Sequence, residues 1–179
     1  MDGRRSAAFV LQIRLMAGEA ATRLDDAEIL SSTLATQSNS SYLLSLLAFE
    51  LLLKAVLRLN GQSPGRNHSY SKLFRTLSSE VQKRLLEAAS KRMNDGADFS
   101  RLDSLLDAWS RNFVDLRYPY EKYEGLAEDE YRARGEAWLA KGANEGDADF
   151  VYRPEELYGL THALQTDVET WLRNRSQDV

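Results

Sequence analysis

The chain has 179 residues, 43% of them hydrophobic and 28% charged, with a net charge of −4 and no cysteine. That length predicts a single domain with its own core, and the absence of cysteine excludes disulfides, thiolate metal sites and cysteine nucleophiles. Two histidines, His68 and His162, are poor material for a metal centre, so neither metal nor cofactor is expected, and the acidic balance argues against general coating of nucleic acid while allowing a local basic cleft.

Arg14 and Glu19 break the apolar run that follows Arg4 and Arg5, so no signal-peptide core forms. From residue 6 to 33, Val10, Ile13, Ala17, Ala20, Leu24, Ala27 and Leu30 recur at three and four, the spacing of one helix face. Ser38 to Ser41 punctuate the chain and offer a capping hydroxyl. The stretch 42–59 is apolar nearly all round, which predicts a central helix. Glu50, Lys54 and Arg58 form its single polar stripe and interrupt it well short of a membrane span. A soluble cytoplasmic protein is expected.

Asn60-Gly61 ends that helix and Pro64-Gly65 makes a loop. A short helix over 69–77 follows, carrying Leu73, Phe74 and Leu77. Ser79 is the expected cap of the next helix, whose core face is Val81, Leu85, Leu86 and Ala89 and whose end is Asp95-Gly96. Another helix begins near Asp98 or Ser100 and lays Leu102, Leu105, Leu106, Trp109, Phe113 and Leu116 on one stripe until Pro119 ends or kinks it. If it is regular to that point, Arg111 and Tyr118 share the opposite face with Asp107 and Asp115 beside them. Residues 125–149 are glycine-containing and acidic and read as an insertion or flap, with a weak helix over 128–140. Pro154 and Glu155-Glu156 suit a first helical turn, and the closing helix runs to about Arg173. The fold class is therefore all-α, an up-and-down bundle of about five main helices in a single domain over 1–179.

Among the polar residues, Glu50 and Lys54 are spaced for an ion pair within one helix, although Glu50 could instead orient Arg111 across a cleft. Arg111 and Arg117 are candidate phosphate ligands, since a guanidinium offers paired donors to phosphate oxygens. Asp115 and Glu121 are expected as salt-bridge partners of Arg111, Arg117 or Lys122. Tyr118, Tyr120 and Tyr123 could stack bases or line an interface. His68 is expected to pack or hydrogen-bond at the start of the third helix, with a role as a proton-transfer group as the alternative. No role is assigned to His162.

In order along the chain, Phe49-Glu50-Leu51-Leu52-Leu53-Lys54, then His68-Ser69-Tyr70-Ser71-Lys72-Leu73, then Arg111 to Glu121 and a closing helix resemble the HEPN family of helical domains. The resemblance implies a homodimer about the fourth helix with the Arg111 motif lining a shared cleft. It also implies a toxin–antitoxin, phage-defence or RNA-processing setting, sometimes beside a nucleotidyltransferase partner. Active members use an arginine and a histidine of this motif, from two facing subunits, to cut RNA. Here Arg111, Asn112 and Tyr118 match, but Leu116 occupies the histidine slot. With one or two extra residues counted, Arg117 or Tyr118 fills it instead. Arginine does not exchange protons and an unperturbed tyrosine titrates near about 10. The expectation is thus a catalytically degenerate protein that binds a nucleotide, RNA or a partner protein through Arg111, Asn112, Asp115, Arg117, Tyr118, Glu50 and Lys54. The alternative is an active metal-independent endoribonuclease that keeps Arg111 and shifts the proton donor, for which Tyr118 and His68 are the candidates.

Overall fold

The computed structural model describes residues 2–33, 39–94 and 96–176, and among them there is no strand. The described residues form seven α-helices: α1 Asp2–Thr33, α2 Asn39–Leu59, α3 Tyr70–Thr76, α4 Ser79–Arg92, α5 Leu102–Asp115, α6 Glu128–Ala140 and α7 Pro154–Ser176, with short 3-10 helices at Pro119–Tyr123 and Glu145–Asp147. The five long periodic stretches are α1, α2, α4, α5 and α7; α3 and the exposed α6 are additional. No helix is long and apolar enough to cross a membrane among the described residues. The expected punctuation at Ser38 and at Asp95 lies outside the described residues.

The core is built on α2, whose Leu46, Phe49, Leu52, Leu53, Val56 and Leu57 are buried. α1, α3, α5 and α7 pack around it, and α4 rests on α7. Apolar residues on nearly every side of α2 leave it no stable place but the middle. Phe49 meets Tyr70 and Trp109 edge-on, with ring centroids 5.2 and 5.3 Å apart, which ties α2 to α3 and α5. At α4 the cap is Ser78, not Ser79: its hydroxyl accepts from the Val81 amide at 3.4 Å. Ser78 has the extended backbone (φ −63, ψ 152) that an N-cap requires, and Ser79 is already helical.

α7 lies tightly against the end of α4 at Gly159. A Cβ there would lie 2.9 Å from Met93 Cγ and 3.1 Å from the Ala89 carbonyl oxygen. Methionine can move, but the carbonyl belongs to a helix backbone and cannot. Gly159→Ala gains about 1 kcal/mol of helix propensity against an overpacking cost of about 1–3 kcal/mol. A thermal melt should therefore show a lowered midpoint; a raised one would mean that the interface yields.

A second tie closes the chain after the acidic segment. The Tyr152 carbonyl accepts from Tyr42 Oη at 2.7 Å and from Trp109 Nε1 at 3.1 Å. Asn112 Nδ2 donates to the Val151 carbonyl at 2.7 Å, and Tyr152 Oη donates to Asn39 Oδ1 at 2.9 Å. Polar groups on α2 and α5 are thus satisfied by Val151 and Tyr152, in the segment that leads into α7. Burial pushes the Tyr42 hydroxyl well above the ordinary tyrosine range, so it stays a donor.

Candidate functional site

α5 stops at Asp115, four residues before Pro119. Proline lacks an amide hydrogen and keeps the preceding residue out of the helical region; Tyr118 accordingly has φ −137 and ψ 60. The amides of Arg117 and Tyr118 turn to the carbonyls of Val114 and Asp115, at 3.3 and 3.2 Å. The regular helical face expected to unite Arg111 with Tyr118 therefore ends before it reaches Tyr118.

The α5 face that carries Asp103, Asp107 and Ser110 receives α3. Ser110 Oγ accepts from the Tyr70 amide at 2.8 Å, the Ser71 hydroxyl donates to Asp107, and Arg75 pairs with Asp103 at 2.6 Å. These contacts are spaced by four and three along α5, so one face supplies all of them. They fix the loop before α3, and with it His68, over the polar stripe of α2.

There Glu50, only 5% exposed, uses one oxygen twice: Oε1 accepts from Lys54 Nζ at 2.7 Å and meets His68 Nδ1 at 2.8 Å. Its Oε2 is buried and has no hydrogen-bond partner among the described residues. The His68 side chain is 63% exposed. With Nδ1 held by a carboxylate, the neutral ring carries its proton there and leaves the Nε2 lone pair for solvent or a ligand. The Glu50–Lys54 pair expected from spacing is present. His68 stands in the loop just before α3 and hydrogen-bonds there, its partner being Glu50 on α2, so Glu50 orients His68 rather than Arg111.

Tyr70, buried beneath this loop, donates its hydroxyl to the Leu46 carbonyl at 3.2 Å. Burial first, and then the charge of Glu50, push its hydroxyl far above the ordinary range, with Arg117 acting in the opposite direction. Arg117 itself lies 5.2 Å over the Phe113 ring, a cation–π contact one helical turn long.

The remaining motif residues separate. Arg111 is exposed and has no ion-pair partner among the described residues. Asn112 is buried, and its amide is committed to Val151, so it cannot also face a ligand in this arrangement. Asp115 is half-buried and Tyr118 exposed, the latter edge-on to Tyr120 with centroids 6.3 Å apart. Leu116 is 4% exposed. Neither Asp115 nor Glu121 forms the expected salt bridge among the described residues; Lys122 instead bonds the Asp149 carbonyl and lies 4.5 Å from the Phe150 ring centroid. His162 sits within hydrogen-bonding reach of Thr166 at 3.5 Å.

A family model described as HEPN domain matches residues 14–138, well over half of the chain. The chain belongs to the HEPN domain family. The match takes in α2 to α5, and therefore the Glu50–Lys54–His68 cluster and the Arg111 motif of this HEPN domain. Comparisons with curated proteins and with solved structures give no match. The part of the site that spacing alone missed is the Glu50–His68 contact, since eighteen residues and a loop separate its members. A buried glutamate on the central helix was the available signal, because a buried carboxylate needs more than one partner.

Proposed function

We propose that this HEPN domain is a homodimer that binds RNA or a nucleotide through the exposed Arg111 face of α5, with the cutting chemistry of its family lost or strongly reduced. The observation that carries the reading is Arg111: an exposed guanidinium without an ion-pair partner among the described residues keeps its donors for a phosphate. Exposed Val114, one turn along α5 from Arg111, and exposed Tyr118 and Tyr120 in the segment that follows the helix suit a self-complementary interface, the commonest arrangement for soluble dimers. Burial of Leu116 supports the loss of chemistry. Leu116, at the position where the resemblance expects the histidine, is only 4% exposed, so little of that side chain is open to a substrate. A toxin–antitoxin or phage-defence setting, with an RNA or a protein partner, follows from family resemblance.

A second reading is favoured by the Glu50–His68 contact: an endoribonuclease whose proton donor has moved from the motif to His68. Metal-independent cleavage needs a group that takes the proton of the 2′-hydroxyl, and an imidazole oriented by a carboxylate is suited to that task. One experiment tests both readings. Wild type, Arg111→Ala and His68→Gln are incubated with single-stranded RNA, with binding, cleavage and light scattering recorded. The binding reading expects a dimer, intact RNA in every sample and affinity for Arg111→Ala lower by roughly 10- to 100-fold, the equivalent of a charge-assisted hydrogen bond of about 1.5–3 kcal/mol. Cleavage by wild type that His68→Gln abolishes would instead establish the ribonuclease. A monomer at micromolar concentration, or unchanged affinity in Arg111→Ala, would overturn the first reading.

A further inference from the structure

α6 poses a problem of its own. It has no buried residue, yet it is an ordered helix, and a helix that buries nothing against the bundle draws little stability from the core. Its apolar residues are turned elsewhere. Tyr131, Arg134, Gly135 and Trp138 are spaced by three, four and seven, so they share one face, and that face lines a half-open surface cavity of about 310 Å³ together with Tyr123 and Phe150. This is the lower end of the roughly 300–1,000 Å³ typical of small-molecule sites.

The walls are aromatic and fixed. Tyr123 and Tyr131 meet edge-on at 4.8 Å. Trp138 Nε1 donates to the Asn144 carbonyl at 2.9 Å, which holds the indole and leaves its faces for stacking. Polar atoms stand among the rings: Asp149 pairs with Arg134 and accepts from Tyr123 Oη at 3.1 Å. Burial, then the Asp149 hydrogen bond, push the Tyr123 hydroxyl up to about 12, so it remains a donor at neutral pH. Gly135 is the second pointer. A mid-helix glycine costs about 1 kcal/mol relative to alanine, and a Cβ at this one would meet no atom within 4 Å. The space in front of it is open although the sequence could have filled it cheaply.

We infer that this cavity is a nucleobase site, in which a planar base stacks against the Tyr131 and Trp138 rings while its edge reaches the Arg134 and Asp149 pair. The aromatic faces accept any base. The carboxylate and guanidinium supply acceptors and donors for the edge, since each oxygen retains lone-pair capacity. A cationic guest is disfavoured, because Arg134 stands in the wall and Lys122 already lies over Phe150. The base could belong to a free mononucleotide or to a single-stranded RNA. The site is independent of Arg111.

The test follows the indole signal of Trp138 by nuclear magnetic resonance, assigned with Trp138→Phe. AMP, GMP, CMP, UMP, a short oligoadenylate and ribose 5-phosphate are titrated in turn. A saturable shift is expected with base-carrying probes and none with ribose 5-phosphate. Gly135→Leu, which fills the cavity without removing a contact, and Tyr131→Ala, which opens one wall at a half-exposed position, should each weaken binding by roughly tenfold or more. A shift with mononucleotides identifies free nucleotide as the ligand, and a shift with the oligomer alone identifies a base in a strand. The proposal is overturned if no probe gives a saturable shift up to millimolar concentration, or if binding survives both cavity variants.

Discussion

Glu50→Ala should lower the stability of the fold by about 3–5 kcal/mol, the usual cost of removing one partner from a buried ion pair. Lys54 has only 14% of its side chain exposed, so its ammonium would be left half-buried without the carboxylate that now lies 2.7 Å away. The cost comes mainly from that abandoned charge. Glu50→Leu combined with Lys54→Met, which removes both charges at similar volume, should accordingly recover most of the loss. Urea denaturation of wild type, Glu50→Ala and the double variant measures both changes. If Glu50→Ala costs less than about 1 kcal/mol, the carboxylate is effectively solvated and the cluster is a surface feature. If the double variant matches or exceeds wild type in stability, the charges are retained for what they position. The thing they position is His68, whose ring would then lose its anchor.

Leu116→His, which puts a histidine where the family resemblance expects one, should destabilise the protein by about 2–5 kcal/mol and confer no RNA cleavage. Leu116 follows the last residue of α5 with near-helical backbone (φ −73, ψ −11). It continues the buried stripe of Leu105, Trp109 and Asn112 at spacings of four, three and four. An imidazole there loses the packing of the leucine and buries ring nitrogens where the adjacent polar side chain, Asn112, is already committed to Val151. Thermal unfolding and an RNA cleavage assay on the same preparation decide the matter. A variant that melts with wild type and cuts RNA would show that the slot faces a substrate after all.

These expectations depend on features of unequal visibility in the sequence. Asn112 was legible in principle: it lies three residues after Trp109 and four before Leu116, which places it on the buried stripe, yet its place beside Arg111 in the family motif suggested the cleft. The α4 cap was ambiguous because two adjacent serines carry the same hydroxyl; only the backbone torsions of Ser78 distinguish them. The acidic stretch 125–149 contained α6 over the very range its composition suggested, Glu128–Ala140. Its scattered aromatic residues gave no sign of a shared cavity, because Tyr123 and Phe150 belong to segments on either side of the helix.

What the sequence determined by itself is local. The all-helical character, the central position of α2, the Glu50–Lys54 pair and the stop before Pro119 all follow from spacings within about two turns, where the chain's own geometry sets which side chains meet. Tertiary structure alone decided that Glu50 holds His68, that Tyr42, Trp109 and Asn112 clasp the carbonyls of residues 151 and 152, and that an aromatic cavity opens under α6. Each of those contacts joins residues brought together by the packing of separate elements. Its formation depends on how whole helices bury their apolar faces, a property of the assembled core that no short window of sequence carries.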